Sequence, residues 1–164
     1  MYFALTIVYS LYLNNTQKTT EVFSCAPITK TVTDHSKYLV ELFGYQVFTQ
    51  QNTEELSMKF LVNQKYVVKI VEGCSGIGII ILFLSFIIAF KGKLKTALFF
   101  GASGVIIIYL VNILRIVFLV LASYHYPEFQ EVLHDLVFPA IIYGTVFLLW
   151  FVWVNKYALL NNEA

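Results

Sequence analysis

The sequence predicts a mainly α-helical integral membrane bundle of about four transmembrane helices. It also predicts a small extracytoplasmic α+β segment made of a short helix and a β-hairpin. Three observations carry this reading. Long apolar runs are almost free of charge, hydrophobic residues make up 59% of the chain against 13% charged, and one half-polar stretch contains two period-two alternations. The mean hydropathy of +0.73 belongs to the same class. A formal net charge of +1 leaves no polyanion-binding signature, so nucleic acid is not an expected partner and the lipid bilayer is. Cys25 and Cys74 form neither a CxxC motif nor a disulfide framework, and neither a metal nor a cofactor is expected.

The elements follow in order as one membrane domain, 1–164. The first helix, residues 1–16, is built on the run Tyr2 to Leu13, which spans only roughly 18 Å of a ~30 Å hydrocarbon core. It lacks the basic flank of a signal peptide and reads as a helix with a truncated or misassigned start. The second helix, 73–90, the third, 97–123, and the fourth, 134–157, are each expected to cross the bilayer. Gly101, Ala102, Ser103 and Gly104 give the third a small-residue patch for a close neighbour. Pro139 falls in the first turns of the fourth, where proline is tolerated, and Trp150, Trp153 and Tyr157 suggest an aromatic belt at its far end.

Orientation follows from the loops. The 91–96 loop holds Lys91, Lys93 and Lys95 without an acid, whereas the 124–133 loop holds Glu128 and Glu131 without a basic residue. Positive-inside bias then puts the lysine loop in the cytoplasm and the other loop outside. The segment 17–72 would also lie outside, with lysines and acids in balance. Asp34 is expected to cap a short helix whose face is Tyr38, Leu39, Leu42 and Phe43, ended by Gly44. Leu56, Met58, Phe60 and Val62, then Tyr66, Val68 and Ile70, alternate with polar residues around Asn63-Gln64 and predict the hairpin.

Chemistry concentrates where that hairpin meets the second helix. Cys74 sits in Glu72-Gly73-Cys74-Ser75-Gly76, at an expected helix N-terminus whose free N–H groups and positive dipole end favour negative charge on sulfur. Gly73, Gly76 and Gly78 would let the backbone approach a substrate carbonyl, so that the same N–H groups form part of an oxyanion hole. Alone, such a cysteine is more often packing than chemistry. Arg115 is the exception that changes this, because a cation inside an apolar run costs about 2.5–3.5 kcal/mol unless it faces a cavity or a partner. Asn112, one turn away on the same face, would point with it into the bundle. His134, beside Asp135 at the mouth of the fourth helix, offers a base, with His35 and His125 as spare candidates. Asp135 need not orient His134, since helical neighbours in sequence diverge.

These motifs, with Asn112-Ile113-Leu114-Arg115-Ile116 and His134-Asp135 in that order, resemble the exosortase/archaeosortase family of prokaryotic membrane enzymes over roughly Val71 to Val154. In length the chain is similar to the compact members found in Bacteroidetes-type bacteria. The resemblance implies a bacterial inner-membrane cysteine protease or transpeptidase whose active site faces the extracytoplasmic side. It would act on membrane-anchored exported proteins that end in a sorting signal of motif, helix and basic cluster. By the same resemblance Cys74 is the nucleophile that forms a thioester, Arg115 stabilises the oxyanion or holds substrate, and His134 is general base and acid. Asn112, Gly73, Ser75 and Gly76 are expected against the substrate. Two other readings compete: a non-catalytic membrane scaffold with Arg115 as a structural ion, and a thiol-redox protein pairing Cys25 with Cys74.

Overall fold

A computed structural model describes residues 2–17, 23–90 and 92–158. Lys91, and part of the expected outer segment at 18–22, lie outside the described residues. The chain is mainly helical, with one small antiparallel sheet.

Helix α1, Tyr2–Thr16, has no buried residue, and Phe3, Ile7, Val8 and Leu11 are all exposed. Helix α2 runs over Pro27–Leu42, so it starts seven residues ahead of Asp34, with Pro27 in its first turn and Ala26 before it. The buried face also differs from the expected one. Thr29, Val32, Thr33, Ser36 and Val40 face inward, while Tyr38, Leu42 and Phe43 are exposed. Small hydroxyl side chains can sit inside because Thr33 and Ser36 donate to the carbonyls of Thr29 and Val32, at 2.7 and 2.8 Å, leaving no stranded donor. Gly44, at φ 87°, ends the helix with the left-handed residue that glycine adopts freely.

The hairpin forms as strands β2, Ser57–Val62, and β3, Lys65–Val71. Asn63 and Gln64 both take positive φ, 50° and 66°, which is the primed two-residue turn that matches strand twist. A third strand, β1, Val47–Gln51, pairs antiparallel with β2, giving the order β1-β2-β3. The register of β2 with β3 shifts at one point, where Phe60 pairs with Val68 and Leu61 with Tyr66. Val67 is therefore bulged, which explains why both Val67 and Val68 are buried where strict alternation would expose one.

Helix α3 spans Ile77–Ala89, and α4 spans Leu94–His125. A short turn at Pro127–Phe129 leads through Gln130–Val132 and a π-helical turn, Leu133–Val137, into α5, Phe138–Trp153. The wide turn fits Pro139, which has no N–H to give the carbonyl four residues back. Two helical stretches, Leu94–His125 and Pro127–Tyr157, are long and apolar enough to cross a membrane; α3 is shorter. Four spanning helices were expected and two stretches reach that length: α1 has 15 residues and α3 has 13, the latter because the first residues of its apolar run fold as a separate turn. Leu94, Leu98, Phe99, Phe118, Phe147 and Phe151 present large apolar side chains outward, as a lipid-facing surface requires.

The small-residue patch is used: a Cβ on Gly104 would run into the Phe83 ring, so α3 and α4 touch there. The tryptophans do not form the expected belt. Trp153 is fully buried against Phe100 and Tyr157, and Trp150 stacks on Phe86, because α3, α4 and α5 converge at that end and enclose the rings. The other buried cluster joins α2, the sheet, the second half of α4 and Phe138.

Candidate functional site

The chain leaves β3 at Val71 and makes a single 3-10 turn over Glu72–Ser75. Gly76 follows at φ 77° and α3 begins only at Ile77, so Cys74 precedes the helix and lies outside its first turn. This replaces the expected helix-terminus setting. The left-handed Gly76 breaks the run that sequence reads as one helix. Cys74 is 5% exposed and belongs to the cluster that joins α2, the sheet and α4.

Asn112 fixes this turn from below. Its Nδ2 donates to the main-chain carbonyl of Cys74 at 2.8 Å, and its side chain is fully buried. Arg115 Nη1 donates to Asn112 Oδ1 at 3.5 Å, one helical turn further on. A Cβ on Gly76 would lie 3.1 Å from the Asn112 amide, so glycine is needed there both for its φ and for this approach. Asn112, expected against substrate, makes its contacts with the protein itself. The second donor of the guanidinium, Nε, is buried without a partner among the described residues, and Arg115 lines an apolar cavity of about 290 Å³ with Phe118, Phe138 and Ile141.

Glu72 fixes the turn from the side. Its carboxylate accepts from the Tyr9 hydroxyl of α1 and from the Thr29 hydroxyl of α2, with Gln17 Nε2 at 3.5 Å. Tyr9 also lies 3.4 Å from the Ser75 hydroxyl. Gly73, Ser75 and Gly76 line a cavity of about 300 Å³ that Tyr9 and Tyr143 of α5 also line. Sequence reasoning quoted Glu72 only as part of the cysteine motif and passed over Tyr9 and Thr29. No local signal marks them, since the partners are 63 and 43 residues from Glu72.

His134 sits in the π-helical turn, where its Nδ1 meets Asp135 Oδ1 at 2.8 Å. Neighbours in sequence do hold each other here, contrary to the helical expectation. With Nδ1–H donating to the carboxylate, Nε2 is the free basic nitrogen. His35 and His125 are engaged differently, against the hydroxyls of Tyr109 and Tyr45 at 2.7 and 2.8 Å. His134 and Asp135 border a third cavity, of about 270 Å³, with Val68 and Leu119 at its inner side.

The sulfur, the guanidinium and the imidazole therefore do not share one cavity, and no hydrogen bond joins them among the described residues. They surround one buried cluster: Val68 and Leu119 are common to that cluster and the His134 cavity, and Phe138 to that cluster and the Arg115 cavity. Cys25, 2% exposed, is a free thiol like Cys74. Burial raises the Cys25 pKa above the ordinary thiol value, against a smaller opposite effect of the Gln51 amide. No group of three or more His, Cys, Asp or Glu among the described residues could hold a metal ion.

No curated protein and no solved structure matches the chain. A sequence model of the transmembrane exosortases matches residues 1–159, well beyond the stretch that carries the motifs. Together with the apolar helices, this makes the chain a membrane protein that belongs to the transmembrane exosortase family.

Proposed function

We propose that the chain is a membrane-embedded cysteine peptidase or transpeptidase that removes the carboxyl-terminal anchor of exported proteins at the extracytoplasmic face of the bacterial inner membrane. The observation that carries this reading is the chain of contacts from Cys74 through Asn112 to Arg115. It ties the cysteine turn to an intramembrane cation whose Nε has no protein partner among the described residues. In the reaction, which requires the three groups to converge from their separate cavities, Cys74 sulfur attacks the scissile carbonyl as its proton passes to His134 Nε2. The C–S bond forms, the C–N bond breaks, and His134 returns the proton to the leaving amine. Water or an acceptor nucleophile then releases the thioester and restores the thiol. Arg115 stabilises the oxyanion, Asn112 and Glu72 are positioning residues, and Gly73, Ser75 and Gly76 face the substrate. Asp135 holds the imidazole in the tautomer the reaction needs.

Substitution of Cys74→Ala in the native host tests this directly. Anchored exported proteins should then accumulate with their carboxyl-terminal helices intact, read by membrane proteomics. Unchanged processing in that variant rules the mechanism out. One observation favours a second reading, a non-catalytic scaffold: Cys74 is almost fully enclosed. That reading expects Cys74→Ala and Arg115→Lys to leave partner function intact.

A further inference from the structure

Strand β3 ends the sheet, and among the described residues β2 is the one strand it pairs with. Free strand edges are usually blunted by proline, by projecting charge or by a cover. The stretch from Val68 to Val71 has no proline, and its one lysine, Lys69, is held by Glu55 at 3.0 Å. Beside this edge lies the cavity of about 270 Å³, with Val68 and Lys69 on one wall and Glu131, His134 and Asp135 on the other. The strand then runs without interruption into the turn that carries Cys74.

We infer that the Val68–Val71 edge receives the substrate as an added strand: an extended peptide, free of acidic residues, lying just before the scissile bond. This rests on the proposed peptidase reading and adds where the substrate docks and in what conformation. Main-chain hydrogen bonds to an open edge supply affinity without demanding a sequence, and side chains reach the walls alternately. The direction follows from topology. The substrate enters the bilayer after its scissile bond, and β3 likewise runs toward the apolar α3, so the two strands pair in parallel. A peptide so placed passes between the edge and His134 and is delivered to Cys74 at the strand's end. Glu131 and Asp135 make this wall acidic, which disfavours acidic residues in the peptide. The bulge at Val67 limits the docking edge to the last strand residues before the cysteine turn.

The test uses the full chain and the exported protein whose processing is lost in Cys74→Ala. A photo-crosslinking phenylalanine analogue replaces Tyr66, beside the cavity, or Phe48, on β1 at the far edge; both are exposed. The Tyr66 position should link to residues just before the cleavage site and the Phe48 position should not. Synthetic peptides of that segment, N-methylated one residue at a time, should compete about tenfold less well at alternate positions only, since each lost main-chain bond is worth up to ~1.4 kcal/mol. Equal linking from both positions, links confined to the substrate's membrane helix, or a flat N-methyl scan would overturn the strand docking while leaving the peptidase reading in place. If Cys74→Ala leaves all processing intact, both fall.

Discussion

The side-chain amide of Asn112 donates to the main-chain carbonyl of Cys74 across 2.8 Å, from the middle of a membrane helix to the turn beside it. Few single contacts are as exposed to a test. Removing the donor in Asn112→Ala strands a buried carbonyl, at a cost of about 1–3 kcal/mol, and frees Arg115 from its neighbour. The expected result is a lower unfolding temperature in detergent together with at least tenfold slower substrate processing.

Gly76 and Gly78 sit two residues apart and predict opposite outcomes. Gly76→Ala must hold a left-handed φ of 77° and press on the Asn112 amide, so a loss of about 1–3 kcal/mol is expected. Gly78→Ala meets nothing within 4 Å inside a helix and should be neutral or slightly stabilising. Thermal unfolding of the two variants side by side checks this.

Where α3 meets α4, Gly104→Ala drives a methyl group into the Phe83 ring, which is fully buried. Destabilisation of about 1–3 kcal/mol is expected, with partial recovery in the double variant carrying Phe83→Leu. No recovery would mean that the helices do not touch at this point.

Among the histidines, His134→Ala should abolish processing, whereas His35→Gln and His125→Gln, which lose contacts only with tyrosine hydroxyls, should retain it. Asp135→Asn should slow processing at least tenfold with little change in substrate affinity, because it loosens the imidazole's tautomer. Initial rates across substrate concentrations separate the two effects.

A pH dependence belongs to the segment that carries the sheet. Lys69 holds the Glu55 carboxyl below the ordinary range, helped by Ser57 and Asn52, and Glu55 holds the Lys69 ammonium above its own. The depressed carboxyl adds stability above the unfolded-state pKa of about 4.3, lost as pH falls through the lower folded value. The raised ammonium adds stability below about 10.4, lost as pH climbs through its higher folded value. Hydrogen exchange of the β2–β3 amides should show Glu55→Gln flattening the acid side of this profile.

The hairpin was legible because burial on one face enforces period two, and the Asn112–Arg115 pairing because helical spacing enforces it. Strand β1 was not, since after Val47 and Phe48 it reads Thr49-Gln50-Gln51 and carries no alternation. The inward face of α2 hid behind hydroxyl side chains whose donors are satisfied within the helix. The π-helical turn broke the divergence rule for His134 and Asp135. The Glu72 contacts are long-range and leave no local trace.

Those contacts bear on how the protein is made. The carboxylate of Glu72 gathers one hydroxyl from α1 and one from α2, so the cysteine turn is finished only when two earlier segments have returned to it. The turn around Cys74 is thus organised only once α1, α2 and the end of β3 have come together.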